Sequence, residues 1–230
     1  MKKTKKLLAA LFMLGALAGC GSTPTVEPTA EPTQQPTQEP TQQPTQQPTE
    51  EATVAPTEDV QGGLEASLVN VAVGKTVYLS TVGQADSNII ENIIKKAGAV
   101  GLYTANNMLT ADQVEEGAVV LLTLGSSSKG LGAAGVDEAF EQARATAFAQ
   151  AAAEGKFTLI LFHVGGLARR GTSSDPIIEA AFPGAAACFL VSSGNEDGFF
   201  TTLSTQNSVS LYEVAKAAEL SDYTKQLFGK

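Results

Sequence analysis

The chain has no tryptophan, a single histidine, two cysteines and three arginines among 230 residues. Each shortage removes a class of chemistry. One histidine and at most one spare thiol argue against a zinc site, which draws its ligands from several such groups. A formal charge of −9 argues against broad nucleic-acid binding, because phosphates demand a basic face. The apolar run Leu7 to Leu17 is too short to stay in a bilayer as a spanning helix.

The context of that run gives it another meaning. Lys2, Lys3, Lys5 and Lys6 precede it, and Leu17-Ala18-Gly19-Cys20 closes it. A basic start, a short apolar core and small residues ahead of a cysteine are the marks of a secretory signal cut before a lipidated cysteine. Residues 1–20 are therefore expected to be a lipoprotein signal peptide, with Cys20 the lipidation site. The partner there is the membrane, held by acyl chains at about 0.8 kcal/mol per buried CH₂. The expected address is the cell membrane, lipid-anchored and facing the extracytoplasmic side. With Cys20 used in this way, Cys188 stands alone and no internal disulfide is expected. Cys188 lies in the apolar run Ala185 to Val191, where cysteine serves as a small buried hydrophobe.

Residues 21–60 form a second region. From Pro24 to Pro48 proline recurs every fourth residue, each followed by threonine, with Gln and Glu filling most of the remainder. Such a segment has nothing to bury, and its prolines favour extended polyproline II, so a disordered tether is expected. At about 3.1 Å per residue its full reach is on the order of 100 Å.

Residues 61–230 then read as one domain. It carries 17 acids against 11 bases. Short apolar strands alternate with helical stretches: strands at Thr76–Ser80, Ala99–Tyr103, Ala118–Leu124, Phe157–Phe162, Ala186–Val191 and, more weakly patterned, Val209–Tyr212. Helices are expected at Asn88–Lys96, from Asp137 to about Glu154, and from Glu213 to Phe228, with Asp175 capping a further one that has Pro176 in its first turn. Continuous apolar strands separated by helices mean a parallel sheet buried on both faces. The expected fold is a three-layer, doubly wound α/β domain with a mostly parallel sheet of five to six strands, Rossmann-like or flavodoxin-like.

Ligands of such sheets bind at the carboxyl ends of the strands, where the strand order reverses. Four loops qualify: 81–87, 125–135, 163–175 and 192–200. The second holds Ser126, Ser127, Ser128, Lys129 and Gly130, with backbone amides suited to an anion. It is not a P-loop, because Leu131 stands where the lysine belongs. The third holds His163, Gly165, Gly166, Arg169 and Arg170. A paired guanidinium suits carboxylate or phosphate, although one arginine is expected to brace the loop through Asp175 or Glu179. The fourth adds Asn195 and Asp197. A grouping of Ser127 or Ser128 with His163 and Asp175 would make a hydrolase, but no spacing signature ties them together. Asp86, Glu196 and Asp197 with His163 would make a hard-cation site, equally without a signature. No catalytic set, metal site or cofactor is assigned.

Three stretches, GSSSKGLGAAGVD (Gly125–Asp137), HVGGLARRGTSSD (His163–Asp175) and GNEDGFF (Gly194–Phe200), resemble an uncharacterised family of secreted or lipidated bacterial proteins, domain of unknown function family 6305. The resemblance implies no activity; it marks these loops as a shared surface. The expected function is a membrane-anchored receptor for a small polar or anionic solute, with a cell-surface hydrolase or a protein-interaction module as alternatives.

Overall fold

The structure, a computed structural model, describes residues 63–230. The signal peptide, Cys20 and the tether expected over 21–60 lie outside the described residues. The described residues belong to one compact unit.

Six strands form one sheet in which every pairing is parallel: β1 (Val77–Val82), β2 (Thr104–Ala105), β3 (Val119–Leu124), β4 (Thr158–His163), β5 (Ala187–Val191) and β6 (Ser210–Val214). Their order is β2-β1-β3-β4-β5-β6. Successive side chains point to opposite faces, and both faces are buried. Val119 and Leu121 join Ile90, Ile94, Leu227 and Phe228, while Val120 and Leu122 join Phe148, Ile177, Ile178 and Phe200. The first group comes from α1 (Ser87–Lys96) and α6 (Leu220–Phe228), and the second from α3 (Glu138–Ala153), α4 (Asp175–Ala181) and α5 (Phe199–Asn207). A short α2 (Ser128–Ala134) links β3 to α3. The expected three-layer, doubly wound architecture is what the chain adopts.

Local chemistry accounts for the elements that position the loops. In α1, Ile90, Ile93 and Ile94 recur at helical spacing and are buried, each side chain worth roughly 2–3 kcal/mol. Lys95 and Lys96 sit in its last turn, against the negative end of the helix dipole. Asp137 caps α3 by accepting from the Phe140 amide at 2.8 Å.

Four expectations need correction. The second strand is not Ala99–Tyr103 but the two residues Thr104–Ala105. Gly98 and Gly101, both at positive φ, turn the chain instead of extending it, and Ala99 and Tyr103 pack on the core without pairing. The last helix begins at Leu220, because Glu213 and Val214 extend β6 alongside Leu190 and Val191. Asp175 is the first residue of α4, with Ser174 in the cap position. The loop after β5 runs into α5, a helix the reading lacked.

Candidate functional site

The strand order reverses between β1 and β3, so the crevice of a doubly wound sheet belongs where the loops after these strands part. Here the two loops do not part. Gln84 and Ser126 form an antiparallel bridge. Gly83 lies so close to the facing loop that a Cβ on it would sit 2.3 Å from the Gly125 carbonyl oxygen. A Cβ on Gly130 would sit 2.1 Å from the Gln84 carbonyl oxygen. Backbone fills the space a ligand would take.

A buried ion pair locks this seam from below. Glu141 and Arg144, three apart on α3, have side chains 0% and 5% exposed and meet at 2.7 Å. The Glu141 carboxylate also accepts from the Gly83 amide and the Gln84 side-chain amide, both at 2.9 Å. Arg144 donates in turn to the carbonyls of Asn107 at 3.0 Å and Leu109 at 2.7 Å. One helix thus holds the loop after β1 and the loop after β2. Sequence reasoning missed this network. Its signal was available: Arg144 is the lone charge between Glu141 and Glu154 on an alanine-rich helix, a setting in which a charge is buried with a partner.

Above the seam lies the expected third loop. Arg169, in the turn Gly166–Arg169, packs its stem over Gly125 and donates from Nε to Asp86 at 3.1 Å. Asp86 precedes α1 without capping it, since its carboxylate is turned to the arginine. Gln84 and Asp86 both stand at positive φ, a conformation that costs a non-glycine residue on the order of 1 kcal/mol. Gly165 is required here, because a Cβ would fall 2.0 Å from the Arg169 Cγ and 2.5 Å from the Asp86 carboxylate. The Arg169 side chain is 34% exposed, and its two terminal nitrogens have no protein partner among the described residues.

Arg170 is spent inside the protein. Its side chain, 5% exposed, pairs with Asp175 at 2.8 Å and Asp197 at 3.1 Å, donates to the Gly194 carbonyl, and lies 3.8 Å over the Phe199 ring. Burial opposes its charge, but the two carboxylates outweigh burial and hold the guanidinium above its ordinary pKa. The same contact, with the Phe199 amide, holds the Asp197 carboxyl below its usual range. One arginine braces the loops and the other lies at the surface.

His163 is fully buried beneath Gly194, against the Phe200 ring. Nδ1 lies 3.2 Å from the Leu124 carbonyl and Nε2 3.0 Å from that of Gly166. A neutral ring donates to only one of these. Burial dominates all the same and pushes its pKa below the ordinary value, with Arg170 adding to the effect. Asn195 caps α5, its Oδ1 accepting from the Phe200 and Thr201 amides.

The remaining serines divide. Ser127 caps α2 through the Gly130 amide at 3.2 Å. Ser126 receives no bond on its own buried hydroxyl, while its amide donates to Ser174 Oγ at 2.9 Å. Ser128 and Lys129 are exposed. The structure therefore brings all the expected loops to one edge, but splits them between the Arg169 cluster and the Arg170–His163–Asn195 cluster. It does not assemble a nucleophile, base and orienter. His163 bonds carbonyls, Ser127 a helix amide and Asp175 an arginine. Nor does it gather Asp86, Glu196, Asp197 and His163 around a cation; among the described residues no cluster of three such ligands forms. Cys188 is fully buried in β5, and burial pushes its thiol pKa far up.

No curated protein and no solved structure matches this chain. Residues 23–58 match a PT disordered repeat. Residues 74–228, more than half of the chain and all six strands, match a domain of unknown function, DUF6305. The chain belongs to the DUF6305 family.

Proposed function

We propose that this chain is a lipoprotein, lipidated at Cys20 and tethered on the extracytoplasmic side of the membrane, whose domain is a non-enzymatic receptor for a small anionic group at Arg169. The basic start, the apolar run and the box ending at Cys20 support the address. One observation carries the receptor reading. At the point where strand order reverses, Asp86 fixes Arg169 by Nε and leaves the terminal nitrogens of the fork without a protein partner among the described residues. That geometry suits a carboxylate or phosphate oxygen pair. Gly125 packs against the stem of the same arginine. Arg170, His163 and Asn195 support the loops and leave the ligand to Arg169.

Isothermal titration of residues 56–230 with phosphate, acetate and dicarboxylates tests this. Arg169→Ala is expected to weaken binding at least ten-fold, the scale of a charge-assisted hydrogen bond of about 1.5–3 kcal/mol. Unchanged affinity in that variant refutes the site. A second reading, a protein-interaction module, is favoured by Leu167, which is 64% exposed on the same turn. Titrations that stay flat for every anion leave that reading standing.

A further inference from the structure

A groove of about 620 Å³ runs between α3 and the turn Ala111–Gln113, a size in the ordinary range of small-molecule sites. Its origin is compositional. On α3, Phe140, Ala143, Ala147 and Ala151 recur at helical spacing along the lining. A single methyl at each alanine leaves the space toward Ala111 and Val114 unfilled. Phe140 is 43% exposed, so the aromatic ring is open to a second apolar body.

The same groove holds an unspent donor. Arg144 is part of the lining, and its side chain is 5% exposed. Nη1 donates to Glu141, and Nη2 to the carbonyls of Asn107 and Leu109, residues that do not line the groove. Nε is buried and has no hydrogen-bond partner among the described residues. The parts of Arg144 left to the groove are therefore its stem and Nε. A buried N–H without an acceptor is costly, and a bound oxygen relieves that cost. Charge selects which oxygen. Glu141 at 2.7 Å already meets the guanidinium charge. Of the other charged lining residues, Lys156 is paired with Glu154 at 2.8 Å, and Asp112 has no ion-pair partner among the described residues. An anion meets that uncompensated acid, whereas a neutral carbonyl oxygen needs only the N–H.

We propose that this groove binds a neutral, mainly apolar small molecule through one carbonyl oxygen, which accepts from Arg144 Nε while the apolar body lies on Phe140 and the alanines of α3. Nε lies just under the groove surface, so the oxygen reaches it after a side-chain rotation in the wall, a common adjustment on binding. The inference goes beyond the receptor reading: the groove lining does not include Arg169 or its partner Asp86.

The test is a nuclear magnetic resonance titration of the isotope-labelled chain from residue 21, which removes the apolar signal and keeps the whole compact unit. The probe is acetanilide, an aromatic ring carrying a neutral amide. The chain has three arginines, so only three guanidinium Nε–H signals need assignment. Acetanilide is expected to move the Arg144 signal and the methyl signals of Ala143 and Ala147, and to leave the Arg169 and Arg170 signals in place. Benzoate, the same ring with a charge, is expected to bind here about five-fold more weakly or worse, the scale of one net hydrogen bond. Ala147→Leu fills the groove from an exposed helical position and is expected to abolish the shifts. Leucine is a good helix former, and circular dichroism confirms that the variant is folded. Alanine shifts without movement of the Arg144 signal overturn the proposal, leaving apolar contact alone. The absence of any shift, binding that survives Ala147→Leu, or benzoate binding as tightly as acetanilide overturns it as well.

Discussion

Arg144→Met is expected to be among the most damaging single changes in the domain. The methionine fills much of the stem volume but removes the charge that Glu141 faces at 2.7 Å. Glu141, wholly buried, keeps only the Gly83 and Gln84 amides, and the carbonyls of Asn107 and Leu109 lose their donor. Removing one partner of a buried pair costs about 3–5 kcal/mol, because the remaining charge is stranded. Against a total stability of about 5–15 kcal/mol this is a large fraction. With a urea dependence of about 2 kcal/mol per molar, the midpoint should fall by roughly 1.5–2.5 M. Urea unfolding of the chain from residue 21, followed by far-ultraviolet circular dichroism, measures it. Adding Glu141→Gln to Arg144→Met removes the stranded charge and should restore on the order of 1–3 kcal/mol relative to additivity. A midpoint shift under about 0.5 M, or strictly additive effects, refutes the claim that this pair locks the seam.

Two further outcomes follow from other sites. Burial lowers the His163 pKa in the folded chain, so its contribution is complete above its ordinary value near 6.5 and is lost as pH falls from there through the lowered folded value. Urea midpoints measured from pH 7 down to pH 5 should decline less steeply in His163→Gln than in the native chain, and equal slopes would contradict the burial argument. In α2, Gly132→Ala meets nothing within 4 Å and should stabilise by about 0.5–1 kcal/mol, whereas Gly130→Ala, two residues earlier, drives a methyl into the Gln84 carbonyl and should destabilise. Thermal melts that rank the two alike would exclude the closed seam.

What the sequence revealed follows from how local each cause is. β3 and α3 were legible because a continuous apolar run and an aspartate cap act within a few residues. β2 was misread because Ala99 is buried and Tyr103 half-buried by packing, and packing leaves the same apolar mark as strand pairing. α5 was missed because its cap, Asn195, stands several residues upstream of the first helical turn. The glycine-rich loops were correctly brought to one edge. The sequence suggested one arginine as a brace and the other facing a cleft, but not which was which, nor that the cleft is closed. Their separate fates depend on Asp86, 83 positions away, and on Asp197, 27 away, which only the fold brings near.

The contact between the loops after β1 and β3 sets a rule for comparing members of this family. A Cβ on Gly83 or Gly130 would fall 2.3 or 2.1 Å from a facing carbonyl oxygen, so no side chain of any kind is admitted. A relative carrying alanine or serine at either place must hold these loops farther apart. Such a chain would have an open mouth at the strand-order reversal, and that is the one in which to seek a bound molecule first.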